Sequence, residues 1–169
     1  MMSNLAGKHA DCTIRLADYH NRQDGQSILG LLDHYALDPM GGGEGLSKYT
    51  VENLVPTLQK YQGAFSVLAF SDNTPVGLVN CFQALSTFKC RPLVNIHDVI
   101  VRESHRGCGL AEKMLDIVQQ HAKEIGCCKL TLEVLQGNEI AKKVYQRFGF
   151  NAYTLDPCKG NALFWEKII

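Results

Sequence analysis

The first third of the chain shows a strand pattern followed by two helical patterns. Residues 12–17 alternate in the manner of a strand, and the apolar residues after Asn21 recur at helical spacing. A proline and four glycines interrupt this spacing at residues 38–45, and it resumes over residues 47–61. We expect one strand and two helices, with a flexible loop between the helices.

The middle of the chain is rich in β-branched residues and predicts three strands. Residues 65–70 and 76–82 are joined by a polar turn containing Asn and Pro, which is typical of a hairpin. Residues 92–101 are nearly continuous in Val and Ile, which favours a strand buried on both faces. This strand leads directly into a glycine-containing loop.

The last third predicts a helix, a strand, a second helix and two final strands. Helical spacing runs from Leu110 to Ile125 and is followed by Gly126, a residue typical of a helix C-terminal cap. Residues 129–135 predict a buried strand, and this strand–helix–strand order favours parallel neighbours with a right-handed crossover. The expected second helix spans residues 138–148, and the final strands are "FNAYTL" and "ALFWEKI".

Length and charge indicate one domain with a small partner. The chain has 169 residues, enough for a single domain with a core and a cleft, and residues 1–11 are expected to be a flexible N-terminus. Lys plus Arg and Asp plus Glu number 17 each, so no net charge attracts nucleic acid or an anionic membrane. We predict neither as a partner.

Cysteine usage and hydropathy indicate a reduced, cytoplasmic protein. The seven cysteines are odd in number and form no C-x-x-C pair, which argues against a disulfide framework and a zinc site. We predict no bound metal. The N-terminus lacks an apolar stretch behind a basic start, and no run approaches the roughly 18 apolar residues that a membrane span requires.

The stretch "SHRGCGLAEKM", residues 104–114, places two glycines before a predicted helix. Such a loop exposes backbone N–H groups at the positive end of the helix, which favours an anion. A Walker loop is excluded because Leu110 and Ala111 follow Gly109 where Lys and Ser or Thr are required. A dinucleotide fingerprint is disfavoured because Glu112 stands at the position of its third glycine.

The pattern Arg106-x-x-Gly109-x-Ala111, between a strand and a helix, resembles the R/Q-x-x-G-x-G/A signature of the GNAT superfamily of N-acetyltransferases. Downstream, "GNEIAKKVYQRFGF" at residues 137–150 resembles the second landmark of that family. The resemblance implies a single α/β domain over residues 1–169. Its sheet would be mixed and twisted, with about seven strands, an antiparallel N-terminal part, a splayed parallel β4/β5 pair and about four helices.

The same resemblance implies that acetyl-CoA is the cosubstrate and that direct attack by an amine occurs in a ternary complex. The diphosphate would lie on the loop from Arg106 to Ala111, which includes Gly107, Cys108, Gly109 and Leu110. Arg106 would either bind phosphate or brace the loop. The strand segment Val99, Ile100 and Val101 would hold pantetheine, with the Val99 N–H near the acetyl oxygen.

Tyr145 matches the family tyrosine that protonates the leaving thiolate, and the alternative is a core aromatic. Helical spacing places Asn138 and Ala141 on the same face as Tyr145, where they would contact the cofactor. Asn138 is also suited to cap its own helix. These assignments rest on the resemblance.

The general base has several candidates. His97 and Asp98 are adjacent on a strand, so we expect them to point to opposite faces, with only one reaching the acceptor. Imidazole accepts protons in the neutral range, which favours His97. Asp98 would then orient a loop, and a buried, noncatalytic His97 is the alternative. Some family members carry a glutamate where this chain has Asn95, and Glu133 is a further candidate.

The acceptor site is expected to include Glu44, Phe82 and His97. Glu44 lies in the glycine-rich loop and would anchor a cationic amine, although a solvated surface loop is the alternative. The acceptor would be a primary amine of a small molecule or peptide, and the protein a monomer or homodimer. The rival function is an acyl-CoA-binding sensor without turnover.

Overall fold

The structure, a computed structural model, describes residues 12–38, 41–154 and 156–169. The predicted flexible N-terminus, residues 1–11, lies outside the described residues. The described residues form two compact units, one ending at Leu132 and the other beginning at Glu133. In the described residues, no helix has the length and apolar character needed to cross a membrane.

The first unit contains a five-stranded sheet and three helices. In chain order its elements are β1 (Thr13–Leu16), α1 (Arg22–Ala36), α2 (Lys48–Lys60), β2 (Ala64–Ser71), β3 (Thr74–Ser86), β4 (Arg91–Val101), α3 (Leu110–Glu124) and β5 (Leu130–Leu132). The strand order is β1-β2-β3-β4-β5, with antiparallel neighbours except for the parallel pair β4 and β5. The predicted parallel pair is confirmed. In the part of the chain that the structure describes, the sheet has five strands rather than about seven.

Local chemistry explains why these elements begin and end where the sequence pattern predicts. The Asn21 side chain accepts hydrogen bonds from the N–H groups of Gln23 and Asp24, which caps the start of α1. Asp72 and Asn73, the two residues between β2 and β3, both have positive φ, as a tight hairpin turn requires. Gly126 has φ +76° just beyond α3, consistent with the predicted cap.

Helices cover the two faces of the sheet. On one face, Ile28 and Leu31 of α1 pack with strand residues that include Leu68, Leu78 and Ile100. On the other face, α3 packs against the sheet with its buried Met114 beside Gly77. A Cβ atom at Gly77 would lie 2.8 Å from the Met114 sulfur, so a glycine lets this helix approach closely.

The second unit contains α4 (Glu139–Phe148), which agrees with the predicted helix. Asn138 caps it by accepting from the Ala141 N–H at 3.1 Å, and Gly149 follows it with φ +106°. The two predicted final strands are wrong for the described residues. Around a 3₁₀ turn at Pro157–Lys159, the Ala162 N–H donates to the Tyr153 carbonyl at 3.0 Å, but the described residues on either side form no strand. Strands require a repeated ladder of such bonds.

An ion pair fastens β1 to the start of α1. Arg15 donates from both terminal nitrogens to the two carboxylate oxygens of Asp24, at 2.6 and 2.7 Å. The Asp18 N–H donates to the same carboxylate at 2.8 Å. Asp24 is buried, and the hydrogen bond from Arg15 lowers its pKa below the ordinary value of 3.8.

We predict that Asp24→Asn lowers the free energy of unfolding at neutral pH by on the order of 2 kcal/mol, because Arg15 loses its charged partner. Chemical denaturation measures this loss. Since the folded-state pKa is lowered, the contribution of Asp24 is present above its unfolded-state pKa and is lost as pH falls through the folded-state value. The difference between wild type and variant should therefore shrink below about pH 4.

The matched control is Glu52→Gln, which breaks an exposed Lys48–Glu52 pair of 3.8 Å and should change stability little. Equal losses in the two variants, or a pH-independent loss in Asp24→Asn, would contradict this role for the Arg15–Asp24 pair.

Candidate functional site

A β-bulge lies in the middle of β4. Asn80 of β3 pairs with Asp98, whereas the next residue of β3, Cys81, pairs with Ile96. His97 is therefore the extra residue on β4, opposite no residue of its own. A bulge interrupts the strict alternation of side chains along a strand and redirects the side chain at that point.

The bulge corrects the expectation that His97 and Asp98 point to opposite faces. Nδ1 of His97 lies 3.5 Å from Oδ1 of Asp98, so the two side chains share a face. The His97 ring also meets Phe82 edge to face at 5.6 Å between centroids, and Asn80, two residues before Phe82, hydrogen-bonds Asp98. The His97 side chain is 64% exposed, so the predicted burial on both faces does not hold here.

Three residues that were not predicted from the sequence form a hydrogen-bonded row that leads from Asp98 into the protein. Asn80 donates to Asp98 at 2.9 Å, Ser66 donates to Asn80 at 2.7 Å, and the Tyr19 hydroxyl lies 2.9 Å from Ser66 Oγ. Ser66 and Asn80 are buried polar residues in otherwise apolar strands. Their polarity within strongly apolar runs is the signal that would have indicated them.

The residues predicted to hold pantetheine, Val99 to Val101, lie on β4 beyond the bulge. Arg102 N donates to Val76 O at 2.9 Å, and alternation in an antiparallel pair then directs the backbone groups of Val99 and Val101 away from β3. In the described part of the chain, β5 pairs with β4 only at residues 94–96. Ile100 lies between the two valines with its side chain buried in the core.

The glycine loop follows the end of this edge. Gly107 and Gly109 both have φ +78°, a left-handed conformation that other residues adopt only with strain. A Cβ atom at either position would meet no atom within 4 Å, so the space above the loop is open. The Cys108 thiol donates to the His105 carbonyl at 2.8 Å, which closes the turn that contains Gly107.

Helix α3 begins directly at this open space. Gly109 is its N-cap residue and supplies no side chain to the first-turn N–H groups, and its carbonyl accepts from Lys113 at 3.1 Å. The amides of Leu110 and Ala111 belong to the first turn, where no intrahelical acceptor exists. Open space, glycine backbone and the positive helix end together fit a phosphate-bearing ligand.

Arg106 braces the loop. Its Nε donates to the Val101 carbonyl at 3.0 Å, and one terminal nitrogen lies 3.5 Å from the Asp38 carboxylate. The other terminal nitrogen lies 3.9 Å from Glu103. These contacts with a carbonyl and two carboxylates are those that a bracing role requires.

Two groups near Asp98, the Tyr35 hydroxyl and the Cys81 thiol, have raised pKa values. Burial raises the pKa of Tyr35, with a smaller contribution from Asp98 and then Asp38. Burial likewise raises the pKa of the Cys81 thiol, and Asp98 adds to the effect. Both groups therefore keep their protons at neutral pH, and the Asp98 carboxylate is the charge that faces His97.

The other predicted residues lie in the loop after α1, on β3 and in the second unit. Glu44 is exposed in the loop between α1 and α2, and Phe82 is half-buried between His97 and Tyr61. In the second unit, Asn138 and Ala141 are joined by the helix cap, and the Tyr145 ring meets Phe150 edge to face at 6.0 Å. Among the described residues, no group of three His, Cys, Asp or Glu side chains is arranged to hold a metal ion.

The family model described as "Acetyltransferase (GNAT) family" matches residues 28–150, which includes most of the sheet, the glycine loop and α4. This chain belongs to the GNAT acetyltransferase family. Its mixed α/β fold, with antiparallel strands followed by the parallel β4 and β5, is the fold of that family.

Individual relatives agree with this assignment. The chain is 38% identical over 55 residues to "Uncharacterized N-acetyltransferase YycN" of Bacillus subtilis (strain 168), a match that covers 32% of this chain and 35% of the relative. The chain thus matches about a third of the length of this curated relative.

Solved structures show the same fold. A ribosomal-protein-alanine N-acetyltransferase from Brucella melitensis biovar Abortus 2308 superposes with a TM-score of 0.68 at 20% identity, covering 94% of this chain and 97% of that one. An aminoglycoside N-acetyltransferase, AAC(6')-Iy, in complex with CoA superposes with a TM-score of 0.71 at 18% identity, covering 96% and 99% of the two chains.

Proposed function

We propose that this protein is an acetyl-CoA-dependent N-acetyltransferase, formed by a single domain, that acetylates a primary amine of a small molecule or peptide. The observation that carries this proposal is the open glycine loop at the start of α3, placed directly after the stretch of β4 that β5 does not pair with in the described residues. Membership of the acetyltransferase family supports the reaction class.

The loop amides from Gly107 to Ala111 would hold the diphosphate of the cosubstrate. Gly107 and Gly109 leave room for phosphate oxygens to approach the backbone, and the helix end adds favourable partial charge. Val99 and Val101 would pair with the amides of the pantetheine arm, as an added strand does at a sheet edge. Arg106 would hold the loop in this conformation through Val101 and Asp38.

Bound acetyl-CoA would supply an activated acetyl thioester. The acceptor must present a neutral amine, and His97 would remove its proton. Asp98 lies beside Nδ1 of His97, which favours a proton on that nitrogen and leaves Nε2 to accept one. The amine nitrogen would then bond to the acetyl carbon while the carbon–sulfur bond breaks, and the proton that the nitrogen loses would return through solvent to the residue that protonates the sulfur. Tyr145 is the proposed donor of a proton to the leaving sulfur, on the basis of the family pattern.

The acceptor class remains a primary amine, and Glu44 and Phe82 are proposed to contribute to its site. The fold neighbours suggest two acceptors to test, because one is named as an aminoglycoside enzyme and another as a ribosomal-protein-alanine enzyme. We further propose a cytoplasmic protein, monomeric or homodimeric. The seven cysteines, all described, are free thiols, which supports a reducing compartment.

We predict that the protein releases free CoA thiol from acetyl-CoA in the presence of at least one amine from a panel of aminoglycosides, amino acids and alanine-initiated peptides. Tyr145→Phe should lower kcat by at least about tenfold, because the leaving sulfur loses its proton donor. A thiol-reactive dye measures the rate. Tight acetyl-CoA binding with no thiol release across the panel would favour the acyl-CoA sensor instead.

We predict that His97→Ala removes the acidic limb of the pH profile of kcat/KM and lowers the plateau by about 100-fold, the lower range for loss of a general base. Steady-state rates across the neutral range with the identified amine measure both effects. An unchanged acidic limb in the variant would assign the base to Glu133 or water.

A further inference from the structure

A row of polar side chains crosses three strands and ends at His97. Ser66 of β2 is opposite Asn80 of β3, and Asn80 is opposite Asp98 of β4. Their side chains are hydrogen-bonded in the same order, and Tyr19 joins the row at its far end. The row lies on the face of the sheet that packs against α1, where its neighbours are apolar.

All donors in this row are directed towards Asp98. A carboxylate only accepts, so the Asn80 amide nitrogen faces Asp98 and the amide oxygen faces Ser66. Because the Ser66 proton goes to that oxygen, the Ser66 oxygen must accept from Tyr19. Burial raises the pKa of Tyr19, so its hydroxyl stays protonated and able to donate.

Two members of this row are buried polar side chains, which would destabilise the core without hydrogen-bond partners. Ser66 is fully buried and Asn80 is 5% exposed, and polar groups there would weaken the core if unpaired. These hydrogen bonds make the row rigid, because each bond fixes the arrangement of the next member. Asp98 stands at the outer end, 20% exposed, with one oxygen on Asn80 and the other towards Nδ1 of His97.

We propose that Tyr19, Ser66, Asn80 and Asp98 are positioning residues that fix the orientation and the Nδ1–H tautomer of His97. The inference rests on the proposed function, in which Nε2 of His97 receives the amine proton. Asn80 anchors one carboxylate oxygen of Asp98, so the other oxygen is held beside the imidazole. Ser66 and Tyr19 in turn fix the amide of Asn80.

The tautomer of His97 is expected to depend on this row because the row ends in the charged Asp98 beside the ring. Asp98 on β4 is the carboxylate beside the ring, Phe82 on β3 is apolar, and burial keeps Tyr35 on α1 and Cys81 on β3 neutral. The Asp38 carboxylate contributes to the raised pKa of Tyr35 and lies 3.5 Å from a terminal nitrogen of Arg106. Removing Asp98 therefore removes the charge that favours a proton on Nδ1.

The deciding experiment is NMR of the imidazole nitrogens of His97 in the protein without ligand. We expect the Nδ1–H tautomer in wild type when His97 is neutral, and a mixed or reversed tautomer in Asp98→Asn. Ser66→Ala and Tyr19→Phe each delete one hydroxyl, and circular dichroism checks their folding. The change in the His97 tautomer should be largest in Asp98→Asn, smaller in Ser66→Ala and smallest in Tyr19→Phe. An unchanged tautomer in both Asp98→Asn and Ser66→Ala would overturn the proposal.

Kinetics separate this proposal from the proposed function. Ser66→Ala should lower kcat/KM by about tenfold in wild type but by less than about twofold in a His97→Ala background, because coupled residues do not act additively. Equal losses in both backgrounds would show a purely structural role and overturn the positioning proposal. Wild-type kcat/KM in His97→Ala would instead refute the assigned base, while the tautomer measurement still decides whether the row positions the ring.

Discussion

The length of β4 relative to its parallel partner is the constraint from which the site follows. β4 runs from Arg91 to Val101, whereas β5 pairs with it over three residues. The second half of β4 therefore presents backbone groups that β5 does not use. Along its other edge the same strand pairs with β3 from Arg91 to Val101, except at the bulge residue His97.

The bulge at His97 brings two neighbouring polar side chains of this strand onto one face. Without the bulge, His97 and Asp98 would lie on opposite faces and the carboxylate could not reach the ring. With it, both face the layer of α1 and α2, beside Phe82 and the buried polar row. One strand therefore offers backbone groups at its edge and a histidine–carboxylate pair on its face.

The loop after β4 depends on the same strand for its shape. Arg106 ties the loop to the Val101 carbonyl, and two left-handed glycines turn the chain into α3 with open space above them. The buried face of α3, including Met114 against Gly77, holds the helix on the sheet. The helix end, the loop and the strand edge thus occupy set positions within one compact unit.

Much of the fold was predictable because local chemistry decides it, as Asn21, the Asp72–Asn73 turn and Gly126 show. The bulge was not predictable, because the sequence of one strand does not reveal how its residues pair with those of another strand. The polar row escaped prediction because Tyr19, Ser66 and Asn80 are distant in sequence and only strand pairing brings them together. The apolar final segments predicted two strands, but alternation alone does not supply a pairing partner.

The central claim is that the amides between Gly107 and Ala111 bind the diphosphate of acetyl-CoA. Calorimetric titration of CoA into Gly109→Asp and Gly109→Asn tests it most directly, because the two side chains have nearly the same size and share the strain of a positive φ, and differ in charge. We expect the aspartate variant to bind at least about 30-fold more weakly than the asparagine variant, from a repulsion of roughly 2 kcal/mol. Equal affinities in the two variants would contradict the claim.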